Sequence, residues 1–443
     1  MSAVAERLLS VEEARAGVLG AIDHPVGVET IATADGLGRV LASPVVASVS
    51  LPPWDNSAVD GYAIVAADTG AATEDAPARL RLIGDVAAGA APAVAITPGT
   101  AARIATGARV PSGADAVVPV EDTTPLDTAG QSGPRGRDAT GPLPAACLVH
   151  RRVEPGLSIR RLGSDLVAGA ALLEAGRTLH PAAIALAAGS GVPQLDVHRR
   201  PLVAVLATGD EVRAPGEELG PAGIPDANGP GLRALLEAAG CEPLDLGIAR
   251  DDLDDVLARL RSALDRGADA IVVSGGVSVG PFDVVRTAIE TIGRIDLWRV
   301  AVQPGKPFAF GTAARADGSP ALIFGLPGNP VSSFVTFELF VRPALRRLGG
   351  RRDLLRSADR GVLLEPVSKS HGRRAYIRVV SERDDAGTPR RDEAGRVRVR
   401  LAGGQGSHVI SALAVADALA IVPEADDSLP AGATVALWWL DPT

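Results

Sequence analysis

The chain is poor in residues that build disulfide-bonded or metal-clustered proteins. Its 443 residues include only two cysteines, Cys147 and Cys241, and six histidines, none at metal-ligand spacing. Two thiols are too few for a disulfide framework or a thiolate cluster. The composition therefore excludes both classes and argues against a zinc site.

Long apolar runs and an excess of basic charge are also missing. No stretch approaches the ~18–20 apolar residues of a membrane span, and Met1–Ser10 lacks the basic-then-apolar order of a signal peptide. The net charge of −9 argues against a general nucleic-acid coat, which needs a basic face. We therefore expect a cytoplasmic protein with no nucleic-acid and no membrane partner.

The abundant residues indicate a folded, multidomain chain. Hydrophobic residues make up 46% and charged residues 22% of the sequence, so bulk disorder is excluded. Single cores stop growing near ~250–300 residues, so about three domains are expected.

Three sequence patterns lie in the N-terminal part of the chain. Ser10 and Glu13 form a capping-box pattern that predicts a helix over Val11–Ile22. Glycine, proline and short β-branched runs from Gly36 to Val120 predict a β-rich region. The polar segment Thr123–Ala146 is typical of a surface loop or flexible insertion.

From Pro201 onward, apolar strands alternate with helices, which predicts an α/β domain around a parallel sheet covered on both faces. The expected strands are Leu202–Ala207, Leu244–Ile248, Ala270–Val273 and Ala321–Phe324, and the expected helices are Gly231–Ala239, Asp252–Arg266, Phe282–Ile292 and Pro330–Arg347. After Gly350 only strands are predicted, as in a small β-barrel or sandwich. The predicted fold class is multidomain α/β plus β: a central three-layer α/β domain with a mostly parallel sheet, β-rich N-terminal domains and a C-terminal barrel-like domain.

Three loops follow strands of the α/β domain, at the edge where such sheets bind ligands. The first carries Asp210 and Glu211, which either hold Mg²⁺ through carboxylate oxygens or only cap a turn. The second, Ser274–Gly280, is rich in glycine and precedes Asp283. Its amides suit an anion, although a simple packing turn is the alternative.

The third loop, Leu326–Ser332, places Asn329 at an N-cap and Pro330 at the first helical position, which also has a purely structural explanation. Upstream, Lys306 lies on a stiff Pro-Gly-Lys-Pro segment and is a candidate phosphate contact. Together these loops predict an anion-binding site, with Mg²⁺, on the α/β domain.

Two polar loops lie outside this domain, at Leu51–Ala63 and Arg103–Asp115. The first contains a tryptophan, a tyrosine and two aspartates, although a small hydrophobic cluster would also explain the aromatics. No Ser-His-Asp or Cys-His arrangement is readable from spacing. The chemistry of the residues alone does not define a reaction.

Taken in order, ten segments resemble the molybdopterin molybdenumtransferase family, the MoeA type that is also similar to the gephyrin E-domain. They are Pro52–Ala63, Arg103–Pro119, Gly163–Leu166, Ala207–Val212, Asp226–Asn228, Arg250–Asp252, Ser274–Gly280, Pro304–Pro307, Gly325–Ser332 and Gly404–His408.

The resemblance implies an enzyme that inserts molybdenum from molybdate into adenylylated molybdopterin, releasing AMP, with Mg²⁺ as cofactor. It also implies an elongated homodimer with its active site between subunits. Four domains are implied: a discontinuous domain I (residues 1–45 and 148–185), a β-rich domain II (46–147), an α/β domain III (186–347) and a β domain IV (348–443).

Residue roles follow from the same resemblance. Catalytic positions are Asp60, Thr106, Asp165, Glu211, Asp251 and Asp283. Substrate-binding positions are Gly275, Gly276, Ser278, Gly280, Lys306, Pro327, Gly328 and Asn329. Molybdate is assigned to Arg373 and Ser407, and the metal to Asp210, Glu211 and Asp283. An arginine and a hydroxyl donor suit a tetrahedral dianion.

The sequence departs from the bacterial pattern at Arg299 and Gln303, where lysine is common, and Gln303 removes one cation. Gly229-Pro230-Gly231 leaves the role of Asp226 open. Two other functions remain in play: a molybdopterin adenylyltransferase, which shares a similar α/β domain, and a non-catalytic, gephyrin-like scaffold.

Overall fold

The computed structural model describes residues 8–136, 141–276 and 284–440. Its N-terminal region, up to residue 198, is built mainly from short strands. The helices are α1 (Val11–Gly20) and α2 (Pro181–Gly189). The strands are β1 (Val28–Ala32), β2 (Val40–Leu41), β3 (Val45–Val46), β4 (Asn56–Ser57), β5 (Gly61–Ile64), β6 (Ala78–Val86), β7 (Thr100–Ile104), β8 (Ala116–Pro119), β9 (Thr123–Leu126), β10 (Ala146–Val149), β11 (Ile159–Arg160), β12 (Ala171–Leu173) and β13 (Gln194–His198).

Helix α1 begins as its sequence predicts. Ser10 Oγ accepts a hydrogen bond from the N–H of Glu13, and the Glu13 carboxylate accepts one from the N–H of Ser10. The helix ends at Gly20, two residues before the predicted end. Its apolar face, from Val11 to Val18, is buried in the same cluster as the helices of the α/β region.

Six strands of the N-terminal region form one sheet, in the order β8-β5-β7-β6-β10-β9. The prediction of a loop over Thr123–Ala146 is wrong at both ends, because Thr123–Leu126 is the buried strand β9 and Ala146 opens β10. The two strands pair antiparallel, with Thr124 opposite Leu148. Backbone pairing thus overrides the polar composition of the segment.

The α/β region contains helices α3 (Asn228–Ala238), α4 (Leu253–Asp265), α5 (Val284–Ile292), α6 (Pro330–Thr336) and α7 (Arg342–Leu348). Its strands are β14 (Leu202–Thr208), β15 (Val212–Arg213), β16 (Ile224–Pro225), β17 (Glu242–Ala249), β18 (Ala270–Ser274), β19 (Gly293–Arg299), β20 (Val302–Gln303), β21 (Pro307–Ala314) and β22 (Pro320–Leu326).

The central sheet has the order β17-β14-β18-β22-β21-β19. Its first four strands are parallel, as the apolar runs predict, whereas β21 and β19 are antiparallel and were not predicted. Alternate side chains of one strand enter two different clusters: Val203 and Val205 lie with α3, and Ala204 and Leu206 lie with α4 and α5. The sheet therefore buries apolar side chains on both faces.

The last predicted helix of this region is interrupted. A π-helical turn, Phe337–Val341, separates α6 from α7. Pro343 lacks the N–H that would donate to the carbonyl group of Leu339, so the regular α-helical ladder cannot continue there.

The C-terminal region holds strands β23 (Ala358–Leu363), β24 (Val367–Ser368), β25 (Arg374–Ser381), β26 (Val397–Leu401), β27 (Ala418–Val422), β28 (Ser428–Leu429) and β29 (Thr434–Trp439). Five strands close into a barrel in the order β25-β26-β23-β29-β27, because β27 also pairs with β25. The expectation of strands alone is wrong in one place: Ile410–Ala414 forms the short helix α8.

Several contacts join the barrel to the α/β region, among them one made by β20 and one made by Glu338. Strand β20 pairs in parallel with the barrel strand β25. The buried carboxylate of Glu338 accepts hydrogen bonds at 2.7 and 2.9 Å from the guanidinium of Arg356, just before the barrel. Among the described residues, no helix is both long and apolar enough to cross a membrane.

Candidate active site

The loops after β14, β18 and β22 meet at one edge of the sheet and line a cavity of about 690 Å³. This is the edge at which α/β sheets bind ligands. The predicted residues that line it are Glu211, Asp251, Gly275, Gly276, Pro327, Gly328 and Asn329. Three loops far apart in sequence therefore share one space.

The glycine loop after β18 needs its glycines for conformational and steric reasons. Gly275 has φ +91°, and a Cβ atom there would lie 2.8 Å from the carbonyl oxygen of Thr208. Gly276 has φ +61°, and its Cβ would lie 2.5 Å from Val285 Cγ2. Other residues are strained in this backbone region. The predicted positions Ser278, Gly280 and Asp283 lie outside the described residues.

The loop after β22 is held from two sides. Asn228 Nδ2 donates to the carbonyl oxygen of Gly328 at 2.7 Å, and Asn329 Nδ2 donates to Ser407 Oγ at 3.1 Å. Asn329 occupies the N-cap of α6, but its side chain does not cap the helix. The contact brings Ser407, a predicted molybdate ligand from the C-terminal region, to the rim of the cavity.

Three carboxylates, those of Glu211, Asp226 and Asp251, line the cavity, whereas no lysine or arginine is among its described lining residues. Asp210, predicted beside Glu211 as a metal ligand, instead lines a neighbouring cavity of about 920 Å³. Its Oδ1 accepts a hydrogen bond from the N–H of Asp251 at 3.2 Å. The adjacent side chains of Asp210 and Glu211 therefore line different cavities.

The donor set is compatible with Mg²⁺, which prefers oxygen ligands and is commonly held by one or two carboxylates together with substrate phosphates. The described residues contain no ready group of three His, Cys, Asp or Glu side chains for a metal.

Lys306 lies next to the cavity rather than in its lining, to which its neighbour Pro307 contributes. Its loop is packed tightly: Gly305 has φ +105°, and a Cβ there would lie 2.6 Å from Thr336 Cγ2 on α6. Gln303 Oε1 accepts the N–H of Ser370 at 2.9 Å. Gln303, which replaces the expected lysine, thus anchors the loop that leads to Arg373. Arg373 itself is half-buried just before β25.

Asp60, Thr106 and Asp165 lie on loops of the N-terminal region, which we call the Asp60 cluster, and none of them lines the cavity. Asp60 Oδ1 accepts hydrogen bonds from the N–H of Thr106 at 2.7 Å and from its hydroxyl at 2.9 Å. The N–H of Asp165 donates to the carbonyl oxygen of Leu51 at 3.0 Å. All three side chains are exposed.

Nearby, Asp55 ties two loops of this cluster together. Its carboxylate accepts hydrogen bonds at 2.7 Å from the N–H of Leu162 and from Arg161 Nη1. First the Leu162 N–H and then the Arg161 guanidinium hold the pKa of Asp55 below its ordinary value.

Among the lining residues that were not predicted as site residues are Asp226, Asn228 and His408. Asp226 Oδ1 accepts the N–H of Gly229 at 2.9 Å at the start of α3. The signal for Asp226 and Asn228 was an Asp-x-Asn segment before a helix. His408 comes from the C-terminal region, and strand-end reasoning within the α/β domain has no means of finding it.

Sequence models of known families match three consecutive parts of the chain. They are the MoeA N-terminal region (domains I and II) at residues 9–191, a probable molybdopterin binding domain at 204–347, and the MoeA C-terminal region (domain IV) at 360–440.

Whole-chain relatives agree. Molybdopterin molybdenumtransferase 2 of Mycobacterium tuberculosis is 37% identical, covering 92% of this chain and 94% of its own. The molybdopterin molybdenumtransferase of Haemophilus influenzae is 31% identical, covering 97% and 98%. A crystal structure of the molybdopterin biosynthesis MoeA protein of Pyrococcus horikosii superimposes with a TM-score of 0.77 at 31% identity, covering 99% of this chain and 100% of that one.

The likeness to solved structures confirms the multidomain fold, with an α/β region and a closed C-terminal barrel. The chain belongs to the molybdopterin molybdenumtransferase family, as the ten segments predicted.

Proposed function

We propose that this protein transfers molybdenum from molybdate to adenylylated molybdopterin, releasing AMP, in molybdenum cofactor biosynthesis. The observation that carries the proposal is the single cavity that joins the loops of Glu211, Gly275 and Gly328. Membership of a family whose relatives bear the transferase name supports the reaction.

The glycine turns and Lys306 bind the pyrophosphate of the substrate, because close-lying amides and a cation suit its negative charge. Arg373 and Ser407 orient molybdate at the rim. Glu211 and Asp251 would hold Mg²⁺, which would supply charge neutralisation for the phosphates of the substrate. One of these carboxylates also accepts a proton from the water that cleaves the anhydride, so that AMP leaves.

The same proposal includes the assembly. The Asp60 cluster does not line the cavity within one chain, which supports an assembly in which a second subunit supplies it and the working unit is a homodimer. The four-domain division belongs here too, supported by the pairing of β12 with β3 across domain II. Its boundary at residue 186 is shifted, because β13 (Gln194–His198) pairs with β1 and β2 and so joins domain I. So does the three-layer form of domain III, supported by the two apolar faces of its sheet. The location proposed for the enzyme is the cytoplasm.

The test is AMP release by the purified protein given adenylylated molybdopterin, Mg²⁺ and molybdate, followed by chromatography. We expect AMP to appear only when molybdate is present. A protein that binds the substrate but leaves its anhydride intact contradicts the transfer. Pyrophosphate release from ATP and molybdopterin would instead identify an adenylyltransferase. If the protein turns over neither adenylylated molybdopterin nor molybdopterin with ATP, it acts as a scaffold.

A further inference from the structure

Arg378 is a buried cation with no acidic partner in the described part of the chain. Its side chain is 1% exposed, and it is the largest fully buried side chain among the described residues. Burial lowers the pKa of Arg378, with no compensating carboxylate. Burying a guanidinium is costly unless its hydrogen bonds are satisfied, so its contacts define what it does.

Those contacts all point to one loop. Strand β25 alternates: Ala375, Ile377 and Val379 fill the barrel core, whereas Tyr376 packs with the α/β region. Arg378 lies on the same face as Tyr376, outside the barrel. Its Nη2 donates to the carbonyl oxygens of Gly404 at 2.9 Å and Gly406 at 3.1 Å.

The backbone of Arg378 grips the same loop. Its N–H donates to Gln405 Oε1 at 3.0 Å, and its carbonyl oxygen accepts from Gln405 Nε2 at 3.1 Å. The Gln405 amide also donates to the carbonyl oxygen of Gly403 at 2.9 Å. Farther along, the carbonyl oxygen of Ser407 accepts the N–H of Val331 at 3.2 Å.

The consequence is an asymmetry within residues 403–408. Most carbonyl groups of this loop accept hydrogen bonds, whereas within the described chain none of the N–H groups from Gly403 to His408 donates one. A row of available backbone N–H groups is a receptor for anions. The loop also carries Ser407, which contacts Asn329, and His408, which lines the cavity.

We propose that Arg378 is a positioning residue for the anion site: by binding the carbonyl groups of Gly404 and Gly406, it leaves the N–H groups of the Gly403–His408 loop to bind a tetrahedral oxyanion. The inference rests on the proposed function and deepens it, because it assigns the oxyanion to backbone donors besides Arg373 and Ser407. The buried charge of Arg378 adds an attractive potential behind the loop.

The experiment compares Arg378→Met and Arg378→Lys with the wild type. Arg398→Met is the matched control, because Arg398 is a half-exposed arginine of the same barrel whose Nε binds Glu382 on the surface. Tungstate alone is titrated calorimetrically into each full-length protein. The KM values for molybdate and for adenylylated molybdopterin are then measured separately, with thermal melting as the fold check.

For Arg378→Met we expect tungstate affinity to fall, and the KM for molybdate to rise, on the order of tenfold. The KM for adenylylated molybdopterin stays unchanged. Arg378→Lys keeps the charge but reaches one carbonyl group, so its values fall in between, and it decides the question if the methionine variant does not fold.

Unchanged tungstate affinity in a folded Arg378 variant overturns the inference, as does an equal rise in both KM values, which indicates general damage. Failure of the proposed function is distinguishable: the wild type then releases no AMP, whereas tungstate titration still reports on Arg378.

Discussion

The two halves of the candidate site are built by different means. Around the cavity of the α/β region, the backbone does most of the shaping, through Gly275, Gly276 and the turn at Gly328. In the N-terminal cluster, the carboxylates of Asp55 and Asp60 hold neighbouring loops by accepting their N–H groups. The first half should therefore be sensitive to an added side chain, and the second to loss of a charge.

The largest effect is expected for Asp60→Ala. Removing the carboxylate frees both donors of Thr106, so we expect turnover to fall roughly a hundredfold or more, while the fold persists. Steady-state AMP release and circular dichroism measure the two. Asp75→Ala, an exposed aspartate of the same region, is the control. Unchanged turnover would remove Asp60 from the site.

A mixing experiment tests whether the two halves come from different subunits. Asp60→Ala and Glu211→Gln are each expected to be nearly inactive as homodimers. After random reassociation, half of the dimers are mixed and each contains one intact site, so about a quarter of wild-type activity should return. If no activity returns although mixed dimers are detected by mass, each site is built within one chain.

Gly275→Ala should expose the dependence of the cavity on its backbone. The new methyl group would lie 2.8 Å from the Thr208 carbonyl oxygen at φ +91°, so we expect a loss of about 1–3 kcal/mol in the free energy of unfolding. Gly318→Ala is the control, because Gly318 has φ +80° but no atom within 4 Å of an added Cβ. If urea denaturation gives the same loss in the free energy of unfolding for both variants, the close approach to the Thr208 carbonyl oxygen does not contribute.

The smallest expected effect is on the stability of the fold at low pH. Because the pKa of Asp55 is lowered in the folded state, its stabilisation is present above the unfolded pKa and is lost as the pH falls through the folded one. The group is partly exposed, so only a few tenths of a kcal/mol are expected. Asp55→Asn should remove this part of the pH dependence, seen as a flatter stability profile below pH ~4. An identical profile would contradict the role of Asp55.

The sequence was informative where one physical pattern dominates. Continuous apolar runs predicted the four parallel strands, and the meeting of strand ends predicted that Gly275 and Gly328 share a cavity. Strand β19 was missed because Arg294 and Asp296 interrupt its apolar side chains. Strand β9 depends on pairing with β10, which lies twenty residues away in the chain.

Residues that act between regions were the hardest to predict. An arginine within a strand normally indicates an exposed position. The sequence around Arg378 therefore does not predict its buried hydrogen bonds to Gly404 and Gly406. His408 likewise reaches the cavity only because the barrel packs against the α/β region. Each loop could be identified from its own sequence, but contacts between loops of different regions depend on tertiary packing and could not.

Strand β20 gives the molecule a mechanical property. It belongs in sequence to the α/β region, pairs with the barrel strand β25, and is followed within three residues by Lys306. A rotation of the barrel relative to the α/β region would therefore also displace Lys306. The main chain that β20 shares with the barrel thus links Lys306 to the domain that carries the Gly403–His408 loop, and a flexible insertion after Gln303 would weaken that link.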